Sequence, residues 1–559
     1  MVKAQTPFAD LDEDGHPKRN GTWLNASAHI ITAVIGSGVL SLAWAVAQLG
    51  WIAGPAALLI FALITWFASM LLVDCNKSPD PITRNRNYTY MDVVKANLGG
   101  IEVKLCGLAQ YGYLVGATIG YTITCGINMV AMLRTNCFHK YGPHAECHRS
   151  GNPYMIIFGC MQLILSQTPN FHKLSFLSIL AAIMSFSYAF IGVALSIAKI
   201  TGQYGEGGNH VRASLTSVTV GADVTSEEKV WNILLALGNI AFAYGFLWSW
   251  LRYRQMMSLV LLVSAEEVDG WPSCTPFSTI SKISMAIKLE LIVAGSQLMI
   301  KPWRDQSEIV VIESFGKLTC AGSQALLVRL KLCYKMLMDT LESGPSKTKA
   351  MQKATTVAVS VTTLFYVLCG TTGYAAFGNK APGNLLTGFE LDKLFWLVDF
   401  ANLCIVVHLI GAYQVYAQPF FQFVEKKCAD RWPESGFIKA TYSIHLPMFG
   451  NYDVNSFQLV WRSIYVITTT LVAIILPFFN DFLGLIGAIA FWPLTVFLPT
   501  EMHIRQTKIQ RFSFTWICFK TLSLICLIVS LLAAAASTRG LIVSFKAFGI
   551  PVKLYVANS

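Results

Sequence analysis

Charge is what this 559-residue chain has little of: 13% of its residues are Asp, Glu, Lys or Arg, against 54% hydrophobic. A water-soluble domain carries about 25% charged residues. A surface facing water cannot be built from so few, so lipid is the expected solvent. The first 19 residues, Met1 to Arg19, lack an apolar core, so no cleaved signal peptide is visible and the first hydrophobic helix has to act as the membrane signal. Among 14 cysteines there is no CxxC and no Cys/His metal spacing. Most of them lie inside apolar runs, where Cys is a small buried hydrophobe. No nucleophile–base pair stands out either. An enzyme is therefore not expected, and neither is a metal or a cofactor.

The net charge of +11 does not point to nucleic acid, because the basic residues lie between apolar runs rather than in one block. Cytoplasmic loops of membrane proteins are enriched in Lys and Arg in this way.

Long hydrophobic runs are what the chain has in plenty. A spanning helix needs about 20 mostly apolar residues. That length predicts eleven spans, near 27–49, 51–73, 106–133, 153–168, 174–198, 231–249, 354–377, 395–423, 460–479, 482–502 and 514–537. The expected fold class is an all-α integral membrane protein. The richer supply of Lys and Arg in Lys77, Arg84, Arg86, Lys347, Lys349, Lys426, Lys427 and Arg505 puts the N-terminus in the cytosol and, with eleven spans, the C-terminus outside. The glycosylation sequons at Asn20, Asn25, Asn76 and Asn87 then fall inside and are expected to go unused.

In lipid, non-helical backbone is tolerated only where it lines a cavity. The first span carries Gly36-Ser37-Gly38 at its middle, and each Gly costs a helix about 1 kcal/mol relative to Ala. A break there would offer free N–H groups and a half-helix N-terminus to a carboxylate. Close packing of helices is the competing explanation for the two glycines. A dinucleotide fingerprint is rejected, since the third Gly is absent and the string lies inside an apolar span. In the sixth span, Gly238, Asn239 and Gly245 predict a second break, five spans after the first.

These strings resemble the plant amino acid permeases of the amino acid/auxin permease family. The matching stretches include Ala28 to Trp44, Gly238-Asn-Ile-Ala-Phe-Ala-Tyr244, Phe365 to Gly370, Gly373 to Gly378, Ala381 to Gly388, His408 to Tyr416, Leu476 to Asp481 and Phe491-Trp-Pro-Leu-Thr495. The resemblance implies proton-coupled uptake of neutral and acidic amino acids at the plasma membrane, with the proton gradient as driving force. It also implies a LeuT-like inverted repeat with broken helices 1 and 6. Gly36, Ser37 and Gly38 would hold the substrate carboxylate, and Phe242, Ala243 and Tyr244 would face the substrate. A carrier of auxin or 4-aminobutyrate, a nutrient sensor that does not transport, and an inactive splice product are the alternatives. Expected partners are an amino acid, protons and the bilayer.

The family-like sequence stops after Tyr244 and resumes at Asp339. The chain is thus partitioned into a cytosolic tail (1–26), spans 1 to 6 (27–244), an atypical insert (245–338), spans 7 to 11 (339–540) and a C-terminal tail (541–559). No run in the insert reaches spanning length. It reads as a retained intron or gene-model error; an inserted cytosolic domain and an alternative helix are the competing readings. Arg252 and Arg254 follow where the rest of the sixth helix should be, and Arg at a helix centre costs about 2.5–3.5 kcal/mol on insertion scales. The chain is therefore expected to transport poorly.

Ionisable groups inside spans are functional candidates. His408, Asp399 and His29 are the candidates for carrying the proton. Their alternatives are a neutral His bonded to a helix carbonyl, a hydrated carboxylate at the outer end of span 8, and an interfacial group. Cys137 and Cys147 flank an outer loop, where the surroundings are oxidising and a disulfide can form.

Overall fold

The computed structural model describes residues 27, 31, 34–75, 89–142, 144–147, 150–167, 175–201, 224–245, 347–389, 395–446 and 450–547. His29, the four sequons and residues 246–338 of the insert lie outside the described residues.

Helices occupy the expected runs. After an interrupted first segment the chain is helical over Leu42–Cys75, and Gly50, at φ 84°, folds this stretch into the end of span 1 and the whole of span 2. Only Gly adopts that backbone without steric cost. Spans 3 to 6 are Gly100–Tyr141, Asn152–Ser166, Ser175–Ile200 and Ser226–Tyr244. Spans 7 to 9 are Lys347–Phe377, Phe395–Arg431 and Ser456–Ile475. Span 10 runs from Phe479 to Gln506 through a π-helical segment at Phe491–Phe497, and span 11 is Phe514–Ala547. Among the described residues, 8 stretches are long and apolar enough to cross a membrane, with Ser37–Cys75 counted once despite its fold at Gly50. Asn152–Ser166 is apolar but shorter. Ser226–Tyr244 opens on Glu227, Glu228 and Lys229, behind a Thr225–Glu228 capping box.

Several helices overrun their expected ends. Span 3 begins and ends outside 106–133, and span 11 continues past residue 540 to Ala547. Hydropathy marks the part of a helix that sits in hydrocarbon, whereas backbone hydrogen bonding continues into the headgroup layer. Two elements went unforeseen. A short helix, Tyr90–Asn97, is set by a Thr89–Asp92 capping box. An antiparallel hairpin pairs Thr441–Leu446 with Gly450–Asn455 between spans 8 and 9.

One expectation is corrected. The sixth helix does not break at Gly238 and Asn239; it runs unbroken to Tyr244 and ends in a turn at Gly245. Gly238 serves packing instead. A methyl group there would lie 2.7 Å from the Gly484 carbonyl oxygen of span 10. On the same contact, a methyl on Gly487 would lie 2.7 Å from the Phe242 Cα. Two helices that close at the backbone need small residues where they meet.

Large apolar side chains face outward, and polar side chains are buried within a mainly apolar interior. Ile52, Leu63, Leu108, Ile164, Leu524 and Leu531 are exposed, while Thr118, Thr122, Asn128, Gln162, Asn402 and Gln414 are buried. Gln414 Nε2 donates to Gln162 Oε1 at 2.7 Å and Ser166 Oγ at 3.0 Å. About three turns on toward the end of span 8, Glu425 takes Arg462 of span 9 in a bidentate pair at 2.8 and 3.2 Å, and Arg462 also reaches the Ser166 carbonyl at 2.9 Å.

Packing follows an offset of five. Gly38 of span 1 meets Ala243 of span 6, and Trp66 of span 2 donates to Thr356 of span 7 at 3.1 Å. Asn136 of span 3 donates to Asp399 of span 8 at 2.6 Å, and Gly159 of span 4 backs onto Thr470 of span 9. Spans 1 to 4 thus each pack on the one five later. Five is odd, so a chain that crosses at every span runs its second set in the opposite sense, as the expected inverted repeat requires.

Candidate functional site

Span 1 starts as a helix and then fails at its middle. The last regular bond is Ile35 N–H to Ile31 O at 2.8 Å; Gly36 N–H turns back onto Val34 O at 2.8 Å. Gly36 is extended at φ −119°, ψ −153°, and a 3-10 helix over Ser37–Ser41 restarts the span with no side-chain cap. The first N–H groups of any helix have no partner inside it, and here they belong to Ser37 and Gly38. They also carry the positive end of the helix dipole. Ser37 Oγ lies beside them, and the residue is 1% exposed. That hydroxyl has no hydrogen-bond partner. A buried polar atom left unpaired costs roughly 1–3 kcal/mol, so it is expected to have a partner that comes and goes.

The two sequence motifs meet at this point. A methyl on Gly38 would lie 3.2 Å from Phe242 Cδ1 and 3.2 Å from the Ala243 Cα. Tyr244 is turned elsewhere: its hydroxyl faces Thr363 at 3.4 Å and its ring packs edge-on against Tyr366. Gly36 has more room, with a methyl there 3.9 Å from the Tyr121 hydroxyl and 4.0 Å from His408 Nε2. Tyr113 stacks on Phe242, and Tyr121 and Tyr113 both pack against Tyr416.

His408 is buried, and its Nδ1 lies 3.0 Å from the Ala181 carbonyl and 2.8 Å from Ser185 Oγ. A carbonyl can only accept, so Nδ1 carries the hydrogen and Nε2, in the neutral ring, keeps the lone pair. That basic nitrogen is the one turned toward Gly36. Asp399 is engaged at a different place, accepting from Asn136 of span 3. Nine residues, two and a half turns, separate the two on span 8, which sends them to different neighbours. Cys137 and Cys147 are joined by a disulfide, Cα atoms 5.9 Å apart, at the end of span 3. Among the described residues there is no group of three or more His, Cys, Asp or Glu suited to a metal.

Sequence reading missed Tyr188, Tyr366, Tyr121 and Ser185. Their one signal was a polar tip inside an apolar run, and nothing local said that the tips converge.

The family model for transmembrane amino acid transporter proteins matches residues 19–251 and 273–543. The chain belongs to the transmembrane amino acid transporter family. Similar proteins include amino acid permease 6 of Arabidopsis thaliana, 53% identical over 540 residues, covering 96% of this chain and 94% of that protein. Amino acid permease 1 of the same organism is 50% identical, covering 97% and 93%. Among solved structures, a crystal structure of MhsT in complex with L-phenylalanine aligns over 92% of this chain and 99% of that one, with a TM-score of 0.44 and 9% identity. So loose a likeness carries no argument about this transporter. The family and these relatives point to amino acid transport as the activity of this chain.

Proposed function

We propose that the transporter is a symporter, taking up neutral and acidic amino acids with protons across the plasma membrane, its N-terminus cytosolic and its C-terminus outside. The observation that carries this is the buried, unpartnered Ser37 hydroxyl at the uncapped start of the 3-10 helix. An α-carboxylate supplies acceptors for the Ser37 hydroxyl and for the N–H groups of Ser37 and Gly38, and its charge suits a helix N-terminus. Phe242 and Ala243 form the wall behind Gly38. The proton gradient drives uptake. Of the three titratable candidates, His408 is assigned the proton, because its Nε2 faces Gly36 while Asp399 bonds Asn136.

Labelled amino acid uptake and membrane currents test this in cells expressing the chain with and without residues 246–338. The symport reading expects inward currents that grow as the outside pH falls from about 8 to about 5, each pH unit adding about 1.4 kcal/mol to the inward driving force on a proton. Uptake that is electrically silent and flat over that range sinks it. A carrier of auxin or 4-aminobutyrate would show those compounds outcompeting amino acids. A sensor would bind without current, and an inactive splice product would gain activity only on removal of 246–338.

A further inference from the structure

A helix that stops inside a bilayer leaves carbonyls on its near half as well as N–H groups on its far half. At this break the carbonyls are already taken. Tyr188 of span 5 donates its hydroxyl to the Ile35 and Gly36 carbonyls, both at 3.1 Å. Tyr366 of span 7 donates to the Val34 carbonyl at 2.7 Å and to the Ala243 carbonyl at 3.1 Å. The first hydroxyl closes the end of the near half of span 1. The second ties that end to the end of span 6.

Both tyrosines are buried, and both are braced by aromatic neighbours. Tyr188 packs edge-on to His408, centroids 6.0 Å apart, and Tyr366 packs edge-on to Tyr244 at 5.2 Å. Four carbonyl oxygens from the ends of two helices thus accept from two hydroxyl hydrogens. Carbonyls of unwound helices are the groups that broken-helix transporters use to hold a coupling cation. A hydroxyl hydrogen supplies a partial positive charge in the same place and needs no ion.

We propose that Tyr188 and Tyr366 are positioning residues that hold the break in shape in place of a bound cation, so that the carboxylate site at Gly36–Gly38 stays assembled without Na+. The proposal rests on the substrate reading only in its effect on amino acid affinity; the ion effect stands apart from it. Tyr188→Phe removes one donor: the Ile35 carbonyl loses that hydrogen bond, and the Gly36 carbonyl keeps only the Val39 N–H at 3.4 Å. A trapped water or a small cation is then what can take the place of the lost hydroxyl.

The test uses the full-length chain and the variants Tyr188→Phe and Tyr366→Phe, purified in detergent in Na+, Li+ or choline buffers. Thermal unfolding is measured without substrate, and labelled amino acid binding is measured separately. Wild type should be indifferent to the cation in both. Y188F should unfold earlier in choline, recover with Na+ or Li+, and bind amino acid about tenfold more weakly in choline than in Na+, one lost hydrogen bond to a buried carbonyl being worth roughly that factor. If Y188F fails to fold in choline, folded yield in Na+ against choline, and the same measurements on Y366F, are the readout. A wild type that needs Na+ overturns the proposal. So do Tyr→Phe variants that are destabilised equally in every buffer, or unchanged in all of them. A wild type that binds no amino acid, alongside a Y188F stabilised by Na+, would defeat the substrate reading and leave the cation replacement standing.

Discussion

Gly38 of the first span lies against Ala243 of the sixth, so close that a methyl group on Gly38 would stand 3.2 Å from the Ala243 Cα. Here the break in span 1 and the end of span 6 meet.

Gly38→Ala and Gly36→Ala should therefore differ. At Gly38 the new methyl meets backbone, and overpacking of that kind costs about 1–3 kcal/mol. The maximal uptake rate should fall even where surface expression is retained. At Gly36 the methyl enters the space before Tyr121 and His408 with contacts of 3.9 and 4.0 Å, so the fold is spared and the amino acid KM should rise. Uptake kinetics normalised to surface protein separate the two. Equal KM in wild type and Gly36→Ala would remove Gly36 from the site.

Gly487→Ala should be worse than either. Its methyl would run into the Gly238 carbonyl oxygen and the Phe242 backbone nitrogen, neither of which can turn aside. A loss of about 3 kcal/mol or more is expected, read as lower folded yield and an earlier unfolding midpoint. A wild-type midpoint would mean that spans 6 and 10 are not in backbone contact.

The Glu425–Arg462 pair is 15% and 7% exposed at its side chains, and it joins spans 8 and 9 to the end of span 4. Removing one partner strands the other charge, at about 3–5 kcal/mol. Glu425→Gln and Arg462→Leu should each lower the unfolding midpoint strongly, and the double substitution should cost less than the two losses added together. Additive losses would show that the pair is not coupled.

Tyr90→Phe tests the π-helical segment. Tyr90 donates to the Leu494 carbonyl at 2.7 Å, satisfying a backbone acceptor inside Phe491–Phe497. A stranded buried acceptor costs about 1–3 kcal/mol, so the variant should unfold earlier although its ring is kept. An unchanged midpoint would mean that water replaces the hydroxyl.

Cys147→Ser opens the Cys137–Cys147 loop, and bonds of this kind contribute about 2–4 kcal/mol. Treating intact cells with a membrane-impermeant reductant should lower stability by the same amount if that loop is outside. Protection of the bond from the reductant would reverse the proposed orientation.

The spans were legible because burial in lipid imposes a length and an apolar composition on contiguous residues, and both can be read locally. The break at Gly36–Gly38 was legible for a related reason, as poor helix material in a place where helix is otherwise compulsory. For span 6 the same reasoning named three residues, and the helix passes through Gly238 and Asn239 and ends at the third, Gly245. Gly238 looks like Gly36 in one dimension, and only the span 10 backbone beside it reveals that it serves packing. His408 was found as an ionisable group in an apolar run, but the nitrogen it turns toward the break depends on Ala181, 227 residues earlier.

By itself the sequence determined that this chain lives in lipid, roughly where it crosses, and that its first span is interrupted, because each of these follows from neighbours along the chain. Tertiary structure alone decided which polar tips serve the interruption. Tyr188 and Tyr366 stand 153 and 332 residues from the carbonyls they cap, and only folding pays out that distance. Inside a bilayer every carbonyl has to find a donor, and the helix that supplies it is chosen by packing.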